Sequence, residues 1–176
     1  MSTFERLLVL CLAAALGCGT ASAQSPGLGK RISEADIAAW DINVAPDGRG
    51  LPPGSGTPAQ GAKIYAEKCQ VCHGEKAAGK PFAALVGGAP LTDGIDTAKT
   101  IANFWGYSTT VFDFIRRAMP FQAPRTLTND EVYALAAYIF SLNKLIGEND
   151  VMDAQTLPKV QMPNRDGFII RFPDRI

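Results

Sequence analysis

An all-α fold, extended at both its N- and C-terminal ends, is the fold class this 176-residue chain predicts. Three observations predict it. Residues 58–69 and 129–142 open on capping signals and carry apolar residues at helical spacing. Residues 108–118 have the same period and run into a proline. Between the first two segments lies Cys69-Gln70-Val71-Cys72-His73, with no parallel-strand pattern around it. The length suits one domain with extensions. Apolar residues make up 47%, which is ordinary for a globular chain and too many for a disordered one. The formal net charge of zero argues against nucleic acid as a partner, because neutralising phosphates needs a basic excess.

In chain order, residues 1–23 read as an export signal. Arg6 precedes the apolar run Leu7 to Leu16, and Ala21-Ser22-Ala23 supplies a small-residue cleavage site. The run is too short, and its exit too polar, for a stable membrane span. The alternative is cleavage before Cys18, with a lipid anchor added to that thiol. Residues 24–57 form an N-terminal extension, in which 33–40 make a short capped helix and 41–56 are Pro/Gly-rich and extended. The main domain covers 58–145. Thr57 caps its first helix, with Pro58 at the first helical position. In the middle helix Val111, Phe114, Ile115 and Ala118 form an apolar stripe, and Thr110 with Asp113 approximates a capping pair. Thr128 and Glu131 make a capping box for the last helix. That helix is apolar on two sides, so it is buried on two sides. Gly61 and Tyr65 are candidates to cross it closely, against Leu135 and Tyr138. Residues 74–94 are rich in Gly, Ala and Pro and read as loop. Residues 146–176 form a tail with apolar residues, Phe168, Ile169 and Ile170 among them, that pack on the domain or on a partner.

Once residues 1–23 are removed, Cys69 and Cys72 are the only cysteines, and His73 is the only histidine in the chain. Zinc needs four ligands, or three and water, and nothing points to a fourth. A redox pair sits at a helix start after a strand, whereas here the motif ends a helical segment. A disulfide across two residues would constrain little of the unfolded chain. The remaining reading, C-x-x-C-H as the attachment site of a c-type heme, uses every residue. Cys69 and Cys72 lie one helical turn apart on one face, placed to form two thioethers, and His73 follows to reach the iron. Export fits, since such attachment is made outside the cytoplasm.

A thioether on the other side of the iron raises the potential and suits electron transfer. Met119 has the best context, because Pro120 pushes it out of helical geometry and Pro124 stiffens the loop it enters. Met162, also before a proline, is the rival, but it lies in the tail. The candidate site is therefore Cys69, Cys72, His73 and Met119, with His73 and Met119 as iron ligands. The other ring nitrogen of His73 should donate to a carbonyl of the 74–94 loop.

With the motif, Met119-Pro120 and the capped terminal helices, residues 58–145 resemble class I cytochromes c. A narrower resemblance rests on "AAWDINVAPDGRGLPPGSG", "FWGYSTTVFDFIRRAMPFQAP", "LTNDEVYALAAYI" and "LPKVQMPNRDGF". These are similar to cytochrome c subunits of molybdenum-containing sulfite dehydrogenase and of sulfane dehydrogenase. The resemblance implies one covalent heme c and a periplasmic, non-catalytic role. The subunit would accept electrons from the molybdenum enzyme and relay them to a further acceptor. Sulfane-type relatives carry a second heme domain, and the single C-x-x-C-H here matches their first half. It also implies that Ala83, where relatives often have proline, offers the carbonyl for His73, with Pro90 competing. Trp105 and Tyr107 fall where such proteins often hold the heme propionates, and Arg116 and Arg117 are candidates for the docking face. The alternatives are a general soluble electron carrier for another dehydrogenase or oxidase and, less well matched, a heme peroxidase or gas-binding protein.

Overall fold

In a computed structural model, residues 27–91 and 97–168 are described. The export signal, its cleavage sites, Cys18, Ile169 and Ile170 lie outside them. The chain divides into two units, Met1–Trp40 and Asp41–Ile176.

Within the first unit, helix α1 spans Glu34–Trp40. Ser33 caps it reciprocally with Asp36. The Asp36 amide donates to the Ser33 hydroxyl at 3.2 Å, and the Ser33 amide donates to the Asp36 carboxylate at 3.0 Å.

In the second unit, α2 (Pro58–Lys68), α5 (Ser108–Ala118) and α6 (Asn129–Leu142) carry the core. The short α3 (Gln70–His73) and α4 (Ile101–Phe104) sit between them. Helix α2 starts on Thr57, with Pro58 in its first turn and Gln60 completing a capping box. Helix α6 begins on the Thr128–Glu131 box and buries Val132 through Ala137, Ile139 and Phe140. Such burial means the helix is covered on both sides, as its two apolar stripes require.

Helices α2 and α6 cross closely, and the reason is Gly61. A Cβ there would lie 2.7 Å from Tyr138 Cβ, nearer than any real Cβ approaches. Tyr65, one turn on, stacks against Tyr138 with ring centroids 5.3 Å apart. The expected crossing is therefore found, with Gly61 against the Ala134 backbone and Tyr138, and Tyr65 against Tyr138.

Two expectations for the middle helix need correction. Helix α5 begins at Ser108 with Tyr107 as its cap and no capping side chain, not at the Thr110–Asp113 pair. Asp113 instead accepts from Arg117 Nε at 2.7 Å, an i,i+4 ion pair. The apolar stripe is also rotated. Phe112 is fully buried, its ring 4.5 Å from that of Tyr133, while Phe114 is 44% exposed and lies on Trp105. Burial of Val111, Phe112 and Ile115 shows that the core contacts α5 one residue off the pattern's centre.

Residues 52–56 and 152–162 pack on this frame. Strand β1 (Ser55–Gly56) pairs antiparallel with β2 (Met152–Asp153) in the tail. Two residues per strand are too few to leave an alternating pattern. The Tyr133 hydroxyl donates to the Pro52 carbonyl at 2.9 Å, and the Ser108 hydroxyl donates to the Leu157 carbonyl at 2.6 Å. Leu157, Val160 and Met162 are buried. Among the described residues no helix is long and apolar enough to cross a membrane.

Candidate functional site

The C-x-x-C-H motif forms one kinked helical turn. Cys69, at φ −125° and ψ −34°, ends α2 and heads α3. Its carbonyl accepts from the amides of Cys72 at 3.1 Å and His73 at 3.0 Å. The turn therefore keeps both sulfurs on one side of the helix. The chain then reverses through Gly74, whose φ of 75° favours glycine. The following loop folds back on the motif: the amide of Phe82 donates to the Cys72 carbonyl at 3.0 Å, and that of Gly79 to the His73 carbonyl at 2.8 Å. The Tyr65 hydroxyl pins the reversal by donating to the Gly74 carbonyl at 2.9 Å.

His73 Nδ1 lies 3.3 Å from the Ala83 carbonyl oxygen. In the tautomer that donates this bond, Nε2 keeps its lone pair free for a metal. Of the two carbonyls in competition, Ala83 holds the ring.

Met119 enters from the opposite element. Its φ of −118° and ψ of 148° are extended, so α5 stops where Pro120 requires. Cys69, Cys72, His73 and Met119 all line one cavity of about 380 Å³. Tyr65, Leu85, Ile115, Leu135 and Ile139 give it apolar walls, and Phe82, Phe121 and Gln122 stand on the loop side. Met162 does not line it and is 2% exposed in the tail's core contacts. Trp105 and Tyr107 are also absent from its walls. Trp105 packs on Phe104 and Phe114, and Tyr107 lies under the Arg165 guanidinium, 4.4 Å from the ring centroid. Arg117 is tied to Asp113 and donates to Asn43 at 2.9 Å, so it is not a free docking cation.

Burial pushes the Cys69 thiol up to about 11, with Lys68 pulling it down and Cys72 adding to the rise. A thiol in disulfide exchange needs the opposite shift. Both thiols are free of a disulfide. Among the described residues, no group of three or more His, Cys, Asp and Glu side chains is gathered to hold an ion, as a zinc site would require.

Lys68 was not singled out in the sequence. It lines the cavity and forms an ion pair with Glu131, the capping residue of α6. The signal was available in the capping box, since a glutamate at that position has a second oxygen to share. The Lys68 hydrogen bond, then the Thr128 amide, hold the Glu131 carboxyl below its usual range. A second hollow of about 480 Å³ lies beside Gly87, Asn103 and Asn143. The amides of Asn103 and Asn143 are engaged with the backbone there, so it offers no comparable set of donors.

Residues 56–139 match the family described as cytochrome C oxidase, cbb3-type, subunit III. A thiosulfate dehydrogenase of Psychrobacter arcticus is 31% identical over 100 residues, which are 53% of this chain and 28% of that protein. The chain thus spans well under half the length of that relative. A chain in the crystal structure of the sulfane dehydrogenase SoxCD from Paracoccus pantotrophus superposes with a TM-score of 0.76 at 39% identity. That match covers 85% of this chain and 73% of that one.

Proposed function

The chain belongs to the c-type cytochromes and carries one covalent heme c, and from that premise we propose that it takes electrons from a molybdenum-containing sulfite or sulfane dehydrogenase. One observation carries the reading. Two thiols, an imidazole with one nitrogen engaged, and a thioether face a single apolar cavity.

In this reading Cys69 and Cys72 would hold the heme covalently as thioethers, and His73 and Met119 would be the ligands of its iron. When bound, the heme supplies a one-electron ferric–ferrous couple whose potential a methionine ligand raises. Ala83 fixes the imidazole plane and the tautomer. Leu85, Ile115, Leu135 and Ile139 give the cavity apolar walls that would keep water from a bound heme. An iron held by both His73 and Met119 would offer no position to a substrate, so in this reading the sulfur chemistry belongs to the partner. Oxidation of sulfite to sulfate releases two electrons, which leave in two successive transfers.

Residues 1–23 direct export to the periplasm, with cleavage after Ala23. The likeness to a thiosulfate dehydrogenase and to a sulfane dehydrogenase supports a donor among sulfur-oxidising enzymes. The test is co-purification from the native host, molybdenum analysis of the complex, and heme reduction on adding sulfite or thiosulfate. Reduction by either through a molybdenum-containing partner is expected. Failure of both to reduce the heme in that mixture overturns the proposed donor and leaves the cytochrome assignment standing.

A further inference from the structure

We infer that Lys68 sets the reduction potential of the heme this cavity takes, raising it with the one fixed charge on the cavity wall, while Glu131 behind it holds that rise in check. The inference rests on the reading that Cys69, Cys72, His73 and Met119 hold the heme. Of the described side chains that line the cavity, Lys68 is the one lysine, arginine, aspartate or glutamate. Most of the remaining wall is apolar, with Leu85, Ile115, Leu135 and Ile139 among it.

Local structure places the charge. Lys68 is the last residue of α2, where a cation meets the partial negative end of the helix, and Cys69 follows it directly. Glu131 is the third residue of α6, and its two oxygens have separate duties. Oε2 accepts from the Thr128 amide at 2.8 Å to complete the capping box, and Oε1 accepts from Lys68 Nζ. Glu131 does not line the cavity. It borders a separate hollow instead, together with Lys63 and Asp130. The cation of the pair therefore lies nearer the cavity than the anion does.

An ion pair this exposed, at 37% for the Lys68 side chain and 24% for that of Glu131, adds little to stability. Its effect on a charge inside an apolar cavity is larger, because little there screens it. Ferric iron carries one positive charge more than ferrous iron. An ammonium beside it disfavours the ferric state and raises the potential, and a carboxylate does the reverse. Lys68 and Glu131 thus act with opposite sign, and the nearer cation prevails.

The experiment uses the mature holo-cytochrome, with potential read by spectroelectrochemical titration and stability by denaturant unfolding. Lys68→Gln should lower the equilibrium constant for reduction about threefold to tenfold, which is about 28–59 mV for one electron. Glu131→Gln keeps the capping box, since glutamine also accepts from the Thr128 amide, and should raise that constant about threefold. Lys68→Arg keeps the charge and should stay within about twofold of the unmodified protein. A merely structural contact predicts another pattern, because either loss loosens the same crossing and moves the potential the same way. Shifts of one sign in Lys68→Gln and Glu131→Gln, or no shift beyond about twofold in either, overturn the assignment. A Lys68→Arg potential as low as that of Lys68→Gln overturns it too. If Lys68→Gln does not fold, the sign of the shift in Glu131→Gln, whose cap is intact, decides. Pigment that acid–acetone extracts from the unmodified protein overturns the heme placement and this inference together. Covalent heme with unshifted potentials overturns this inference alone.

Discussion

On one side of the cavity stands the crossing of α2 and α6, and on the other the loop that follows α3 and the loop that begins at Met119. The crossing has no spare space. A side chain at Gly61 would strike the Ala134 carbonyl and then Tyr138 Cβ. The loop side is open by comparison: Phe82 is 62% exposed and Phe121 80%. The crossing therefore sets the stability of the fold, and the loops set the chemistry of the metal. Substitutions on the two sides should separate into different measurements.

The largest effect comes from the motif. Replacing Cys69 and Cys72 by serine should leave all pigment extractable by acid–acetone, while the unmodified protein retains it. Covalent mass in the variant would show that attachment lies elsewhere. The two methionines sharpen the contrast further. Met119→Ala should lower the potential sharply and give a high-spin component at neutral pH. Met162→Ala should leave the ferric spectrum unchanged and cost about 2–5 kcal/mol in denaturant unfolding, as a buried methionine does. Exchange of these two outcomes would make Met162 the ligand.

Gly61→Ala comes next. Alanine improves helix propensity by about 1 kcal/mol over glycine. Overpacking costs about 1–3 kcal/mol, and the atoms in the way are backbone and a Cβ that cannot swing aside. A net loss of up to about 2 kcal/mol is expected by chemical denaturation, with the heme spectrum intact. One further effect appears only in alkali. Burial raises the Tyr133 phenol to about 12 from its ordinary 10. The neutral phenol is the form the fold prefers. Its contribution is thus complete below pH 10 and is lost as pH rises from 10 through about 12. Tyr133→Phe should flatten that decline by on the order of 2–3 kcal/mol. An equally steep decline in the variant would assign it to another group.

Much of the helical side was legible because its signals are local. Thr57-Pro58 and Thr128-x-x-Glu131 start helices through bonds within four residues, and both are found as read. Met119 was legible for the same reason, since Pro120 acts on the residue beside it. Errors came where distant chain decides. Phe112, not Phe114, is in the core because Tyr133 lies opposite it, and Thr110 is no cap because α5 begins two residues earlier. The β1–β2 pair joins residues almost a hundred apart and has no pattern of its own.

From its residues alone, the chain determined the three helices, the spacing of two thiols and an imidazole on one turn, and a methionine released from a helix by the proline after it. These are short-range consequences of backbone sterics and hydrogen bonding. Tertiary structure alone decided that Phe112 rather than Phe114 enters the core, that β1 pairs with β2, and that Lys68 pairs with Glu131. Those choices depend on which surfaces the folded chain brings within a few ångströms, and packing between distant segments sets that.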